Sequence, residues 1–332
     1  MQLPKLMTGA MLAAGFLCAA TGASAIELKA SHQWPGGKGD IRDEMVQMIA
    51  RHMEANETGV EIKVYPGKSL FKPKEQWAAM TKGKLDITAF PLSYAGGRHP
   101  EFNLTLMPGL VKNHDHAMRL NSSPYMRKIK QVMDEAGVMV LADTWLAGGF
   151  VSKDKCVLEP GDVKGMKFRA AGKAFNQMLQ AAGATITSMP SSEIYSGLQT
   201  GVLDGANTSS SSLVSYRIYE QVKCLTAPGE NALWFMYEPI LMSKESFNKL
   251  TPAQQLELMK AAGKAEQYAS DAAKGADQLL VDTFKKAGVE VVEMTAEQAA
   301  KWREIADVSS YKDFADNVEG GRALLDMALS VE

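Results

Sequence analysis

The residue with the most pointed chemistry in this chain is Arg169, in the run Gly165-Met166-Lys167-Phe168-Arg169-Ala170-Ala171-Gly172. A guanidinium grips a carboxylate through two parallel charge-assisted hydrogen bonds, a geometry that lysine cannot match. Each such bond contributes roughly 1.5–3 kcal/mol once desolvated. Small residues after Arg169 let a ligand approach the backbone. Taken alone, a single arginine near the end of a short strand reads as a surface charge rather than a ligand contact. A second segment follows, Ser192-Glu193-Ile194-Tyr195-Ser196-Gly197-Leu198-Gln199-Thr200-Gly201-Val202-Leu203-Asp204-Gly205. Just past it stand Asn207 and Thr208, each able to donate a hydrogen bond to a ligand or to be satisfied by backbone as a buried polar residue.

Catalytic and metal patterns are absent or weak. Ser209 to Ser212 has no base at a motif spacing and no nucleophile elbow, and reads as a local polar run. The turn Pro35-Gly36-Gly37-Lys38-Gly39 lacks both the P-loop and the dinucleotide fingerprint. The histidines (His32, His52, His99, His114, His116) show no paired spacing with cysteines, and His114-Asp115-His116 reads as a solvated helix start. No cofactor, metal or catalytic activity is expected.

The N-terminus reads as a cleavable leader over residues 1–25. Lys5 supplies the positive region, Leu6 to Ala20 an apolar stretch too short to span a bilayer comfortably, and Ala23-Ser24-Ala25 the cleavage pattern. A mature chain from Ile26 is exported to the periplasm and keeps about 307 residues, enough for two medium domains. Cys18 lies in a poor lipoprotein context, and no later stretch is long and apolar enough for a membrane helix. A net charge of −2 and a pI near 6.3 give no reason to expect nucleic acid or anionic membrane. Anion binding must therefore come from locally placed Arg or Lys. The two remaining cysteines, Cys156 and Cys224, are expected to pair in an oxidising compartment, with separate buried thiols as the alternative.

These residues need a frame. Alternation and helical spacing predict strand Glu27–Ser31, a helix carrying Ile41, Met45, Met48, Ile49 and His52 on one face, strand Val60–Tyr65, helix Lys74–Thr81 and strand Leu85–Phe90. That β-α-β-α-β order implies parallel strands with right-handed crossovers. Helices Asp115–Leu120 and Pro124–Ala136 follow, then strand Val138–Ala142. A second αβ unit begins at Val163–Ala170, with helix Ala174–Ala182 and strand Thr185–Ser188. Ser191 or Ser192 is expected to cap the next helix, with Ile194, Leu198 and Val202 buried on one side. Trp234–Ser243 reads as one apolar strand. Thr251-Pro252 opens a long helix reaching Ala287, Glu290–Met294 is a strand, and Thr295 begins a final helical region. Lys82-Gly83-Lys84-Leu85-Asp86 and Thr200-Gly201-Val202-Leu203-Asp204 echo each other, as two similar domains would.

Jointly, the two segments around Arg169 and Asp204-Gly205, with the leader, resemble the DctP-type solute-binding proteins of TRAP transporters, over essentially the whole mature chain. The resemblance implies an α/β, two-domain periplasmic binding protein (type II-like) with hinge strands and a long domain-spanning helix. Domain I would comprise 26–147 plus roughly 238–285. Domain II would comprise 148–237 plus roughly 286–332 with the C-terminal helices. The family captures organic anions and hands them to DctQ/DctM-type permease subunits; a monomer is expected, and a receptor serving a sensor is the alternative. Arg169 occupies the place of the family arginine that orients the carboxylate. The ligand-touching position beyond Asp204-Gly205 falls on Thr208 by strict spacing, with Asn207 beside it. Where dicarboxylate and sialic-acid relatives often carry another arginine, this chain has Gly148, and Gly148-Gly149 leaves room for a bulky or flat group. Trp34, Tyr94, Trp145, Trp234 and Tyr237 lie near expected pocket loops, where they would stack on an aromatic acid or serve inter-domain packing. Arg98 could add a second positive charge or be a loop charge. The expected ligands are, in order, an aromatic monocarboxylate, a small hydroxy or keto acid, and a sugar acid or dicarboxylate.

Overall fold

Twelve strands form two sheets in a computed structural model that describes residues 25–332. The leader predicted over residues 1–25 lies outside the described residues except for Ala25. The strands are β1 (Ile26–Ser31), β2 (Val60–Tyr65), β3 (Ile87–Ala89), β4 (Val138–Ala142), β5 (Trp145–Ser152), β6 (Lys167–Arg169), β7 (Thr185–Thr187), β8 (Gly205–Ser209), β9 (Cys224–Thr226), β10 (Trp234–Tyr237), β11 (Ile240–Ser243) and β12 (Glu290–Val292). The first sheet has the order β2-β1-β3-β11-β4. The second runs β12-β9-β5-β8-β6-β7, with β10 on β5. As the β-α-β order predicts, β1 pairs in parallel with both β2 and β3.

The chain passes between the sheets at Asp143-Thr144 and again at Glu238-Pro239. The predicted strand Trp234–Ser243 is therefore two strands in two different sheets. Proline has no N–H for a ladder, so Pro239 ends the pairing there. The Glu238 N–H donates to the Thr144 carbonyl at 2.9 Å, which holds the two crossings side by side. The helix Pro252–Lys286 runs for 35 residues behind both sheets. Thr251 caps it in a reciprocal capping box with Gln254. Its Leu258, Ala261, Ala262, Ala265, Ala269, Ala273 and Ala276 pack in the core of the first sheet, and Leu280 and Phe284 in a core of the second.

The echo around the two Gly-x-x-Asp runs has a common physical cause. Gly83 (φ +65°) and Gly201 (φ +73°) each turn the chain out of a helix. Asp86 then accepts the Lys29 N–H at 2.7 Å, and Asp204 the Lys167 N–H at 2.8 Å. Each carboxylate locks its own strand to the neighbouring parallel strand. The early stop at Gly201 also corrects the predicted helix face: the helix ends at Gln199, and Val202 is 48% exposed. Neither Ser191 nor Ser192 caps it, because both lie in or beside a 3-10 turn (Ser191–Glu193) that leads into Ile194–Gln199. The predicted helix Lys74–Thr81 likewise starts as a 3-10 turn, Pro73–Glu75, before Gln76–Thr81.

Cys156 and Cys224 form a disulfide that ties the loop after β5 to β9. His116 is buried rather than solvated, its ring accepting the Lys112 N–H and meeting the Val331 carbonyl at 3.0 Å. The last helix, Gly321–Leu329, packs against Pro124–Glu135, so the C-terminus returns to the side of the first sheet.

Candidate ligand-binding site

Arg169 ends β6, fully buried. Its Nε donates to the Met189 carbonyl at 3.0 Å, one Nη to the Asn207 carbonyl at 2.6 Å and the other Nη to the Tyr94 hydroxyl at 3.0 Å. A guanidinium has five N–H groups. Three are spent, which leaves one on each terminal nitrogen, the two arms of a carboxylate fork. Among the described residues no carboxylate pairs with Arg169. Burial pulls its pKa below the ordinary arginine value, opposed by Tyr94 and by the charge of Glu238. A buried cation of this kind is costly until an anion meets it.

Several buried polar side chains lack protein partners. Both side-chain amide atoms of Asn207 are buried and unpartnered. So are both amide atoms of Gln33, the hydroxyl of Ser93 and the indole nitrogen of Trp234. Ser93 and Tyr94 share the 3-10 turn Leu92–Ala95 after β3, and a Cβ on Gly172 would lie 3.1 Å from the Ser93 oxygen. That contact sets Ser93 against the loop following Arg169. Tyr94 also accepts the Ser191 N–H at 3.1 Å, so one tyrosine from the first sheet's side binds two segments of the second. Buried polar groups are nearly always hydrogen-bonded in folded proteins; of these groups, the unpartnered amide of Asn207 is the one that shares its residue with a carbonyl holding Arg169.

The structure brings together Arg169, Asn207 and Tyr94 from the residues singled out by sequence. Thr208 is buried on β8 next to Gly149 of β5. Trp234 lies against Gly148, with which it pairs in register. Other residues are committed elsewhere. The face of Trp34 carries the Arg42 guanidinium at 4.0 Å, and its nitrogen donates to Ser212. Trp145 donates to Asn121 at 2.8 Å and packs on Tyr237. Tyr237 donates to Asp143 at the crossing between sheets. Arg98 is exposed in its loop, beside Lys82 and Glu101, and does not join Arg169.

Gly148-Gly149 does not leave room for a ligand group. A Cβ on Gly148 would stand 2.1 Å from the Thr208 carbonyl, and one on Gly149 2.2 Å from that of Thr226. The missing side chains let β8, β9 and β10 close on β5.

Sequence reading missed a second buried arginine. Arg42 donates two hydrogen bonds to the Asp40 carboxylate, at 2.8 and 2.6 Å, and reaches Glu238, Ser209 (2.9 Å) and Ser212 (3.0 Å). Ser215 donates to Asp40 at 2.9 Å. Thus Ser209 to Ser212 is not a surface polar run: Ser209 caps the helix Ser210–Ser215 and fastens Arg42 across to the second sheet. Two signals were present in sequence. Gly39-Asp40 before an amphipathic helix is an N-cap pattern, and Glu238 interrupts an otherwise apolar run.

Residues 31–317 match the profile of the family described as bacterial extracellular solute-binding protein, family 7 (DctP). A solute-binding protein of Albidiferax ferrireducens is 41% identical over 305 residues, covering 91% of this chain and 90% of the relative. The C4-dicarboxylate-binding periplasmic protein DctP of Rhodobacter capsulatus is 26% identical over 317 residues, 92% of each chain. Among solved structures, a TRAP periplasmic solute-binding protein from Rhodoferax ferrireducens with bound malonate has a TM-score of 0.87 at 41% identity, covering 92% of this chain and 98% of that one. A Bordetella pertussis extracytoplasmic solute receptor binding pyroglutamic acid shares the fold, with a TM-score of 0.82 at 23% identity over 92% of this chain and 99% of that one. The two-sheet α/β architecture is thus that of the TRAP periplasmic binding proteins, a family of receptors rather than enzymes. The chain belongs to the bacterial extracellular solute-binding proteins, family 7: it is a DctP-type solute-binding protein of the TRAP transporters.

Proposed function

We propose that this chain captures a small organic acid between its two sheets and delivers it, as a monomer, to DctQ/DctM-type permease subunits, without turning it over. One observation carries the reading. Arg169 is a buried cation with no carboxylate partner and one free N–H on each terminal nitrogen, beside the unpartnered amide of Asn207. A ligand carboxylate would complete the fork, and Asn207, Gln33, Ser93 and Tyr94 would read the groups around it. A division into 26–147 plus roughly 238–285 and 148–237 plus roughly 286–332 would set its inner boundaries near the two crossings, with the last helix reaching back to the first sheet's side. Contacts made from both sides would favour a closed form, and that form would signal occupancy to the permease. Export through a leader over residues 1–25 would put the receptor in the periplasm.

The unpartnered amides favour a small acid carrying a hydroxyl or carbonyl near its carboxylate. Stacking of an aromatic acid would rest on Trp234, because Trp34 and Trp145 are committed to protein partners. A second reading, a diacid, draws on the malonate held by the 41% identical relative. A thermal-shift screen of the oxidised mature protein against monocarboxylates, hydroxy and keto acids, sugar acids and diacids tests these readings. A ligand that binds only the native state raises the melting temperature. The largest shift is expected from a small hydroxy or keto acid. A flat response across every acid class would remove the carboxylate reading.

A further inference from the structure

We propose that Glu238 sets the charge of the acid this cleft accepts: a monoanion binds as it stands, and a diacid binds only with one proton retained. This rests on the receptor reading above and deepens it.

Four charged side chains of this region are buried. Arg42 and Arg169 are each fully buried, and Asp40 and Glu238 nearly so. When these four are ionised, their charges cancel; Asp43, a further buried carboxylate, is met by His32 at 3.1 Å. All five N–H groups of Arg42 are spent, two on Asp40 and one each on Glu238, Ser209 and Ser212. Arg42 therefore has no donor for a ligand, and Arg169 alone can receive a carboxylate. A bound monoanion leaves one net negative charge in the cluster. A dianion leaves two, with no second cation to meet them, and an uncompensated buried charge is strongly disfavoured.

A proton relieves that excess, and Glu238 is the group placed to share it. Asp40 is held by both arms of Arg42 and by Ser215. Glu238 receives a single bond, from Arg42, and among the described residues its other oxygen accepts none. It sits at the crossing between β10 and β11, on the Arg42 guanidinium that also binds Ser209, two residues along β8 from the Asn207 whose carbonyl holds Arg169. Burial pushes its carboxyl above the ordinary value, while Arg42 and Arg169 pull it back. The other groups facing this cluster are Tyr216, whose hydroxyl burial drives well above its usual range, Tyr94 on Arg169, and the Asp43–His32 pair beyond Trp34. Asp43, although burial raises it, is held low by bonds from His32 and Gly37. The proton balance is simple. A dianion and one proton from solvent give a bound monoanion, whose remaining O–H lies between the second ligand carboxyl and Glu238; nothing is oxidised or reduced.

The test is titration calorimetry of the wild-type protein near neutral pH, in two buffers of different ionisation enthalpy. Lactate and benzoate serve as monoacids, malonate and succinate as diacids. Monoacids are expected to bind without proton exchange. Each diacid that binds is expected to take up about one proton, its affinity falling about tenfold per pH unit as pH rises. In Glu238→Gln the uptake should vanish, and the diacid-to-monoacid affinity ratio should rise at least about tenfold at high pH. Should that variant fail to fold, the wild-type proton count decides alone. Diacid binding with no proton uptake would overturn the inference and leave the receptor reading standing. Failure of all four acids to bind would sink the carboxylate reading and this inference with it.

Discussion

Arg169 and Arg42 are both buried, yet they do opposite work. Arg42 has two carboxylates and no spare donor, so it is a fastening. Arg169 has spare donors and, among the described residues, no carboxylate, as a receptor for one would. The difference predicts separable phenotypes. Arg169→Met should weaken binding of any carboxylate by at least about tenfold, yet leave the melting temperature of the acid-free protein unchanged or raised, because a desolvated cation is exchanged for an apolar chain of similar length. A matched loss of stability and affinity would show Arg169 to be a structural member instead. Calorimetry and thermal unfolding of the same variant give both numbers. Arg169 was legible because its neighbours in sequence are also its neighbours in function. The Arg42–Glu238 contact spans 196 residues, and no local pattern encodes a partner that far away. Composition could show neither arginine to be buried.

At the scale of elements, legibility followed locality. Thr251 and Thr295 announce their helices because a capping box is complete within four residues. The break at Glu238-Pro239 was hidden because Trp234 to Tyr237 and Ile240 to Ser243 are equally apolar, and which sheet each joins is decided by distant strands. The glycines at 148 and 149 were read for the space they leave, whereas that space belongs to the backbone of the adjoining strands. Gly149→Ala should therefore destabilise the protein by about 1–3 kcal/mol or more, since the new Cβ meets the rigid Thr226 carbonyl rather than a movable side chain. Denaturant unfolding would measure it; a neutral substitution would mean that β9 can yield without loss of its pairing.

Across the whole molecule, the long helix enters one core of the first sheet and one of the second, and a further core joins residues of both sheets. Gly275 lies on its exposed side where the buried face passes from Ala273 and Ala276 to Leu280. A Cβ there would touch nothing. On propensity alone Gly275→Ala should stabilise the protein by roughly 0.5–1 kcal/mol, seen as a higher melting temperature; a fall would reveal a conformational demand on that residue. The helix is about 52 Å long, clamped at one end and again near the other. A rod held in this way resists torsion more than flexure. Were the two halves to close on an acid as proposed above, a rod that enters a core of each would have to bend with them. Gly275 is then the compliant link of a leaf spring, and its replacement would change the stiffness against which an acid must pull.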